Sequence, residues 1–149
     1  MSTLNFPPGR PIDLACLGRV AVDFYAQQFG SRLEDARSMA MYLGGSSGNL
    51  AFGVARLGLR SAMISRVGNE QMGHFLRETL QREGCDVSQL QTDPERLTAL
   101  VLLGLKDRDT FPLLFVRENC ADMAIRADEI SEDFIKGCRA LAITGTHLS

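Results

Sequence analysis

Three near-continuous apolar segments of strand length alternate with stretches of helical periodicity, and this alternation restricts the possible folds more than any other feature. The segments are IDLACLG (12–18), AMISRV (62–67) and RALAITG (139–145). Such a composition is typical of strands that are buried on both faces. Strands that alternate with helices favour a doubly wound parallel sheet with right-handed crossovers. The predicted fold class is therefore α/β.

Two longer helices and one short helix are predicted between or before these strands. The first helix begins at Ser47, with Ser46 or Ser47 as its N-cap, and ends at Gly58. The second helix ends at Gly84 and is defined by an apolar stripe of Met72, Phe75, Leu76 and Leu80. A further strand is expected at 85–90, and the segment ISEDFIKGC predicts a short helix capped by Ser131.

Further strands are predicted outside these apolar runs, and one pair of them forms a hairpin that does not belong to the alternating pattern. The first strand is expected to continue into RVAVDFY, and 39–43 (MAMYL) to form a short strand that leads to a Gly-Gly turn. The segments TALVLLGL (98–105) and FPLLFVRE (111–118) predict a β-hairpin with a five-residue connection. We expect this hairpin to lie as a flap on the edge of the parallel sheet.

The composition excludes several classes of protein. The sequence has 149 residues and a net charge of −2, so it lacks the basic surface that nucleic-acid binding requires. It contains no run of about 18 apolar residues, and no membrane span is predicted. The first residues, MSTLNFPPGRP, lack the basic-then-apolar pattern of a secretory signal. The expected location is therefore cytoplasmic.

The cysteines predict neither a disulfide framework nor a metal site. They are far apart and include no C-x-x-C pair: Cys16, Cys85, Cys120 and Cys138. With only His74 and His147 in addition, the sequence does not match a zinc-binding pattern. Cys16 and Cys138 adjoin apolar runs, so we expect reduced core residues and a reducing compartment.

Polar and glycine residues are predicted to gather where the parallel strands end, because ligands of open α/β sheets lie beyond the carboxyl ends of the strands. These features are Asp23, the turn Gly44-Gly45 and the loop 146–149. The Asp23 carboxylate can accept hydrogen bonds from hydroxyl groups. The two glycines allow a ligand to approach the backbone amides. Asn49 adds a donor and an acceptor from the first helical turn. Together these residues predict a ligand with several hydroxyl groups.

The phosphate-binding alternatives have the wrong spacing. A dinucleotide-binding G-x-G-x-x-G turn should follow the first strand directly, but this strand is followed by Arg19-Val20-Ala21. No G-K-[ST] sequence of a P-loop is present, and neither Lys nor Arg lies between Gly44 and Asn49. The Gly-Gly turn is therefore not interpreted as a nucleotide site.

Two arginines and one histidine have more than one interpretation. Arg117, at the end of FPLLFVRE, is either a solvated arginine on an edge strand or a guanidinium that binds a carboxylate or carbonyl of the ligand. Arg19 either faces the ligand beside Asp23 or pairs with that carboxylate. His147 follows a strand end, but a single histidine without partners assigns no role.

The segment 44–68 resembles the N-terminal signature of the ribokinase-like (pfkB) sugar kinases. The phrases GRVAVD, RVGNEQMGHFL and ITGTHL agree with this family as well. One departure is Ser47, where the family usually has Pro, Ala or Gly. The signature positions that match are Gly44, Gly45, Asn49, Ala51, Gly58 and Gly68.

The resemblance implies a fold and an activity. Residues 1–149 would form the N-terminal part of a ribokinase-like doubly wound parallel sheet, with a small β-hairpin lid from strands at roughly 19–25, 39–45 and 98–118. The activity implied is the ATP- and Mg²⁺-dependent phosphorylation of a primary hydroxyl of a sugar or keto-sugar acid. GRVAVDFY, YLGGSSGN and DTFPLLFVREN favour 5-dehydro-2-deoxygluconate, from myo-inositol catabolism, over 2-keto-3-deoxygluconate or fructose.

The resemblance also implies partners and site residues. Relatives often pair their flaps between subunits, so a homodimer through the lid is expected. The implied substrate contacts are Asp23, Gly44, Gly45, Asn49 and Arg117.

No catalytic residue is assigned within this sequence. In the family, the base Asp and the amides that hold the phosphoryl group come from a Gly-Ala-Gly-Asp motif in the C-terminal half. This sequence contains no such motif and is expected to lack that half. A catalytically incomplete fragment, which binds a sugar or dimerises, is therefore the alternative to a kinase.

Overall fold

The computed structural model describes residues 8–145, which form two β-sheets and three α-helices. The strands are β1 (Ile12–Leu17), β2 (Ala21–Ala26), β3 (Met39–Gly44), β4 (Ser61–Gly68), β5 (Leu90–Asp93), β6 (Leu100–Leu103), β7 (Leu113–Val116) and β8 (Cys138–Ile143). The helices are α1 (Ser46–Arg56), α2 (Gln71–Arg82) and α3 (Glu132–Lys136). Short 3₁₀ turns lie at Leu33–Asp35, Ala121–Ala124 and Ala127–Glu129.

The first sheet has the strand order β5-β4-β1-β8, and all of its pairs are parallel. Leu14 of β1 pairs with Ser61 on one side and with Ala140 on the other. Helices α1 and α2 pack on one face of this sheet, against Cys16 and Met63. Helix α3 packs on the opposite face, where alternate residues of the same strands point. The predicted doubly wound α/β class is confirmed.

The second sheet has the strand order β3-β2-β6-β7 and mixes orientations. Strands β2 and β6 are parallel, whereas β3 and β7 are antiparallel to their neighbours. The prediction that β1 continues into RVAVDFY is wrong, because Gly18 has a φ of 140° and the chain leaves the first sheet there. The β6–β7 hairpin consequently belongs to the second sheet and not to the edge of the first. Its role as a lid stays a prediction.

Helix α1 begins one residue before the predicted start. Its N-cap is Gly45, with φ 83°, and neither serine caps it as predicted. The serine hydroxyls bond elsewhere: Ser46 Oγ donates to Thr144 Oγ1 (2.9 Å), and Ser47 Oγ donates to the Leu17 carbonyl (2.9 Å). Tertiary contacts therefore replace the expected local cap.

Helices α2 and α3 agree with their predictions. Helix α2 is capped by the Glu70 carboxylate, which accepts hydrogen bonds from the backbone N–H groups of Met72 and Gly73. Helix α3 is capped by the Ser131 hydroxyl, which accepts from the backbone N–H of Phe134 (3.2 Å).

The prediction of a strand at 85–90 is wrong in position, because the structure has the strand β5 at Leu90–Asp93. Within 85–90, Asp86 makes an isolated parallel bridge with Ala62, and its carboxylate accepts from the backbone N–H of Ser88 (2.7 Å). Because of this local turn, the strand β5 begins only at Leu90.

All four cysteines are free thiols and are buried. Burial raises the pKa of the Cys16 thiol to about 12 and also raises the pKa values of Cys85, Cys120 and Cys138. Within residues 8–145, none of the helices is long and apolar enough to cross a membrane.

Candidate functional site

One face of the second sheet carries a carboxylate in a row of paired residues that has an aromatic side chain at each end. Asp23 of β2 pairs with Tyr42 of β3 and with Val101 of β6. Val101 pairs in turn with Phe115 of β7. Directly paired residues in neighbouring strands present their side chains on the same face. Asp23 therefore lies on a surface that extends from Tyr42 to Phe115.

An open cavity of about 710 Å³ lies against this face. Pockets for small molecules commonly measure about 300–1,000 Å³. The cavity brings together Asp23 and Asn49, which the sequence predicted as ligand contacts. Its lining consists of Asp23, Tyr25, Ala26, Gln27, Phe29, Ala40, Tyr42, Leu43, Asn49 and Leu105.

The Asp23 carboxylate is half-buried, and its surroundings act on its pKa in two directions. Burial raises the pKa, and the positive charge of Arg19 lowers it. A Cβ atom placed on Gly44 would lie 2.1 Å from Asp23 Oδ1. In this structure, the space beside Gly44 therefore holds the Asp23 carboxylate. The closer approach of a ligand to the Gly44 backbone stays a prediction.

Gly45 joins β3 directly to α1 and requires the absence of a side chain. Its φ is 83°, and a Cβ there would lie 2.6 Å from the Arg19 carbonyl oxygen and 2.8 Å from Val20 Cα. The Gly45 carbonyl accepts hydrogen bonds from the Asn49 backbone N–H (2.9 Å) and from Asn49 Nδ2 (3.1 Å). The turn thus fixes the side chain of Asn49, which lines the cavity. No contact in this structure tests the predicted ligand contact of Gly45 itself.

The departure from the family pattern at Ser47 has a structural explanation. Ser47 is fully buried. Its hydroxyl donates to the Leu17 carbonyl and lies 2.8 Å from Thr144 Oγ1. These bonds tie the first turn of α1 to the carboxyl ends of β1 and β8.

Arg19 contacts an aromatic ring of the same face. Its guanidinium carbon lies 5.6 Å from the centre of the Phe115 ring, which is within the range of a cation–π interaction. Because its charge also lowers the pKa of Asp23, Arg19 contributes positive potential to this side of the sheet.

Arg117 does not line the cavity. Its Nε donates to Asp122 Oδ2 (3.0 Å), and its Nη2 lies 2.9 Å from the same oxygen. The Asp122 side chain is only 1% exposed and that of Arg117 is 22% exposed. Arg117 is therefore an ion-paired, mostly buried residue and not a solvated arginine on an edge strand. Its contact with a substrate stays a prediction.

Sequence reasoning missed the two tyrosines of the cavity wall. The rings of Tyr25 and Tyr42 meet edge to face, with centres 5.4 Å apart. Tyr25 follows Asp23 by two positions, so strand alternation was the signal that could have placed it on the same face. Tyr42 required knowledge of the β2–β3 register. The loop 146–149 and His147 lie outside the described residues.

Within residues 8–145, no group of three or more His, Cys, Asp or Glu side chains forms a cluster that could hold a metal ion. No step below depends on a metal ion bound by this part of the chain.

Comparisons with known proteins show similarity along almost the whole chain. The chain matches the family described as pfkB family carbohydrate kinase over residues 12–149. A protein of Clostridium tetani named 5-dehydro-2-deoxygluconokinase is 37% identical over 153 aligned positions, which cover 100% of this chain and 44% of that protein. The chain thus spans less than half the length of such relatives.

Two solved structures share the fold. An uncharacterized sugar kinase from Pyrococcus horikoshii, in complex with ATP, has a TM-score of 0.81 and 28% identity, and the match covers 87% of this chain and 42% of that one. A fructokinase from Halothermothrix orenii has a TM-score of 0.78 and 29% identity, with 89% and 46% covered.

Proposed function

The chain belongs to the pfkB family of carbohydrate kinases, and we propose that it forms the sugar-binding part of an ATP-dependent kinase. The proposed reaction phosphorylates a primary hydroxyl of a keto-sugar acid. The observation that carries this proposal is the cavity of about 710 Å³ in which Asp23 and Asn49 meet. Relatives at 35–37% identity that are named 5-dehydro-2-deoxygluconokinase support 5-dehydro-2-deoxygluconate as the substrate and myo-inositol catabolism as its setting.

The residues of this chain would bind and orient the sugar. The Asp23 carboxylate accepts hydrogen bonds from sugar hydroxyls, and Asn49 both donates and accepts. The rings of Tyr25 and Tyr42 contact the apolar C–H faces of the sugar and limit its rotation. Together these contacts would hold one hydroxyl in a fixed position, which accounts for much of the rate enhancement in a transfer reaction.

The chemical step requires groups beyond these residues. ATP would supply the phosphoryl group, with Mg²⁺ as its companion ion, and a base would remove the proton of the attacking hydroxyl. Such a base is worth about 10²–10⁴ in rate. The 149 residues contain no Gly-Ala-Gly-Asp sequence. The proposal therefore assigns the base and the phosphoryl clamp to another part of the full-length protein.

We also propose a homodimer that forms through the second sheet, in a cytoplasmic setting. Strand β7 is an edge strand, and all four of its residues are apolar and exposed. Exposed apolar edge strands are surfaces that proteins normally cover by pairing. The four free thiols support a reducing compartment.

The first test is to sequence the coding region past Ser149. An in-frame Gly-x-Gly-Asp motif is expected. A stop codon directly after Ser149 would overturn the kinase function for this polypeptide and favour the alternative, a catalytically incomplete fragment that binds a sugar or dimerises.

The second test is an assay of the full-length protein with ATP and Mg²⁺. The substrates compared are 5-dehydro-2-deoxygluconate, 2-keto-3-deoxygluconate and fructose. The highest kcat/KM is expected for 5-dehydro-2-deoxygluconate. A preference for 2-keto-3-deoxygluconate would refute the specific substrate but retain the sugar-acid class, and a preference for fructose would refute both.

A further inference from the structure

A second cavity, which we call the rear cavity, lies between the edge strand β3 and the helices α1 and α2. It measures about 360 Å³, within the usual range for small-molecule sites. Its apolar part is formed by Met41 of β3, Phe52 of α1 and Phe75 of α2. Met41 alternates with Tyr42 along β3, so its side chain lies on the face of the second sheet opposite to Asp23. Met41 is 37% exposed and both rings are only partly buried, so this apolar part is open to a ligand.

Two arginines line the rear cavity, and its lining contains no acidic side chain. Arg56 Nε and Nη2 donate to the Glu83 carboxylate (2.7 and 2.8 Å), and the guanidinium carbon lies 4.7 Å from the centre of the Phe52 ring. Arg82 Nη2 donates to the neutral hydroxyl of Thr79 (3.1 Å). In the part of the chain that the structure describes, no carboxylate lies within ion-pair distance of Arg82. The cavity thus combines an apolar floor with a positive charge that lacks an ion-pair partner there.

The helix dipole explains why each arginine is present but not why both meet at one apolar cavity. Arg56 and Arg82 lie in the last turns of α1 and α2, where a positive charge interacts favourably with the helix dipole. That interaction does not require aromatic rings beside the guanidinium groups. The cavity lined by Arg77 provides a contrast, because the carboxylate of Asp86 lines it as well. The rear cavity has no such acidic group, so its charge is complementary to an anion.

We propose that the rear cavity binds a small anion with an aromatic body. The anionic group accepts hydrogen bonds from Arg82 and from Arg56 Nη1, which the Glu83 carboxylate does not engage. The aromatic body contacts the rings of Phe52 and Phe75. Charge selects the anion, and the two rings favour an aromatic anion over an inorganic one. This inference does not depend on the proposed function.

The test uses the full-length protein and phenyl phosphate as the probe, with binding measured by calorimetry. Excess ADP is present, so that a nucleotide site elsewhere in the protein is occupied. Inorganic phosphate lacks the ring and benzyl alcohol lacks the charge. We expect each of them to bind about tenfold more weakly than phenyl phosphate, equivalent to about 1.4 kcal/mol. Equal binding of either compound, or no binding of phenyl phosphate, would overturn the inference.

Three charge variants locate the probe. Arg82→Gln should raise the dissociation constant for phenyl phosphate about tenfold. Arg126→Gln, the same change at an exposed arginine that pairs with Asp128, should leave it unchanged. Equal effects of the two variants would indicate non-specific charge attraction and overturn the inference. Glu83→Gln removes the carboxylate that competes for Arg56, so it should lower the dissociation constant about threefold, the scale of an exposed ion pair. A loss of structure would not strengthen binding, and an unchanged or higher value would remove Arg56 from the site.

A further variant separates the two cavities, because Tyr42 and Asn49 line both of them. Tyr25 lines the cavity of about 710 Å³ and not the rear cavity. Tyr25→Leu removes its ring without a change of charge, and the dissociation constant for phenyl phosphate should stay the same. A rise as large as that for Arg82→Gln would place the probe in the larger cavity and overturn the inference. A failed sugar kinase assay would leave these binding results intact, so the two hypotheses are tested separately.

Discussion

Two strands, one from each sheet, have similar apolar sequences but opposite environments. In β4 of the first sheet, SAMISRVG, every residue except Arg66 is buried. In β7 of the second sheet, LLFV, every residue is exposed. The first sheet holds the fold together, because helices cover both of its faces. The second sheet leaves an apolar surface and a cavity beside it. Apolar composition alone therefore does not distinguish a strand that stabilises the core from one that is available for binding.

The same contrast separates two aspartates. Asp13 of β1 accepts hydrogen bonds from Arg60 Nη2 (2.8 Å) and Arg139 Nη1 (2.9 Å), and these contacts hold its pKa well below the usual range. Asp23 of β2 has its pKa raised, mainly by burial. The first carboxylate is placed to stabilise the fold. The second is placed where it costs stability and is available to a ligand.

The largest expected effect is a difference in the free energy of unfolding between a leucine variant packed on the first sheet and a leucine variant on β7. Leu80 of α2 is fully buried against the first sheet, whereas Leu114 of β7 is 52% exposed. Leu80→Ala should lower the free energy of unfolding by about 2–5 kcal/mol. Leu114→Ala should change it by less than about 0.5 kcal/mol. Urea unfolding of both variants measures this, and a large loss for Leu114→Ala would show that β7 is covered in solution.

The next effect concerns the glycine that joins the two regions. Gly45 and Gly58 both have a φ of 83°, but no atom lies within 4 Å of a Cβ built on Gly58. Gly58→Ala should cost about 1–2 kcal/mol of stability from backbone strain. Gly45→Ala should cost about 1–3 kcal/mol more, because the new methyl group meets the backbone of Arg19 and Val20. Equal losses in thermal unfolding would contradict the close packing at Gly45.

A smaller, pH-dependent effect is expected at Asp13. Its pKa is lowered in the folded state, so its contribution to stability is present above the ordinary value of 3.8 and is lost as the pH falls below it. Asp13→Asn should therefore destabilise the protein at neutral pH, and the difference from wild type should shrink on acidification. Urea unfolding across this range measures it. A difference that does not depend on pH would contradict the assigned charge interaction.

The smallest effect on stability is expected at Asp23, where the substitution should stabilise the protein at neutral pH, in contrast to Asp13→Asn. Its pKa is raised, so the folded state loses stability as the pH rises above the ordinary value of 3.8. Asp23→Asn should make the protein slightly more stable at neutral pH, and this gain should disappear below pH 3.8. The same variant should weaken sugar binding. Increased stability with unchanged sugar affinity would remove Asp23 from the proposed site.

The first sheet was largely predictable because its signals are local. Apolar runs gave β1, β4 and β8, and the stripe of Leu76 and Leu80 gave α2. The strands of the second sheet were grouped as a lid, at roughly 19–25, 39–45 and 98–118, only through the family resemblance; local pattern instead extended β1 into RVAVDFY. The strands of this sheet come from distant parts of the chain, and the break at Gly18, with φ 140°, has no signal beyond a single glycine. Long-range pairing of this kind is set by tertiary contacts and not by local pattern.

The site was predictable to a similar extent. Asp23 and Asn49 were both predicted as ligand contacts, and the structure brings them to one cavity, although Asp23 lies within β2 and not after the end of a strand of the parallel sheet. Tyr42 depends on the β2–β3 register. The pairing of Arg117 with Asp122 depends on the reversal at Asn119, which no spacing rule in the sequence indicates. Serines 46 and 47 look like helix caps, but their hydroxyls bond to other elements.

The buried cysteines make this protein well suited to site-selective labelling. Thiol reagents attack the thiolate, and all four native thiols are both buried and raised in pKa. A cysteine introduced in place of Leu114, on exposed β7, would therefore react much faster than any native one. A fluorophore or spin label attached there can report when this strand becomes covered, without prior removal of the natural sulfhydryl groups.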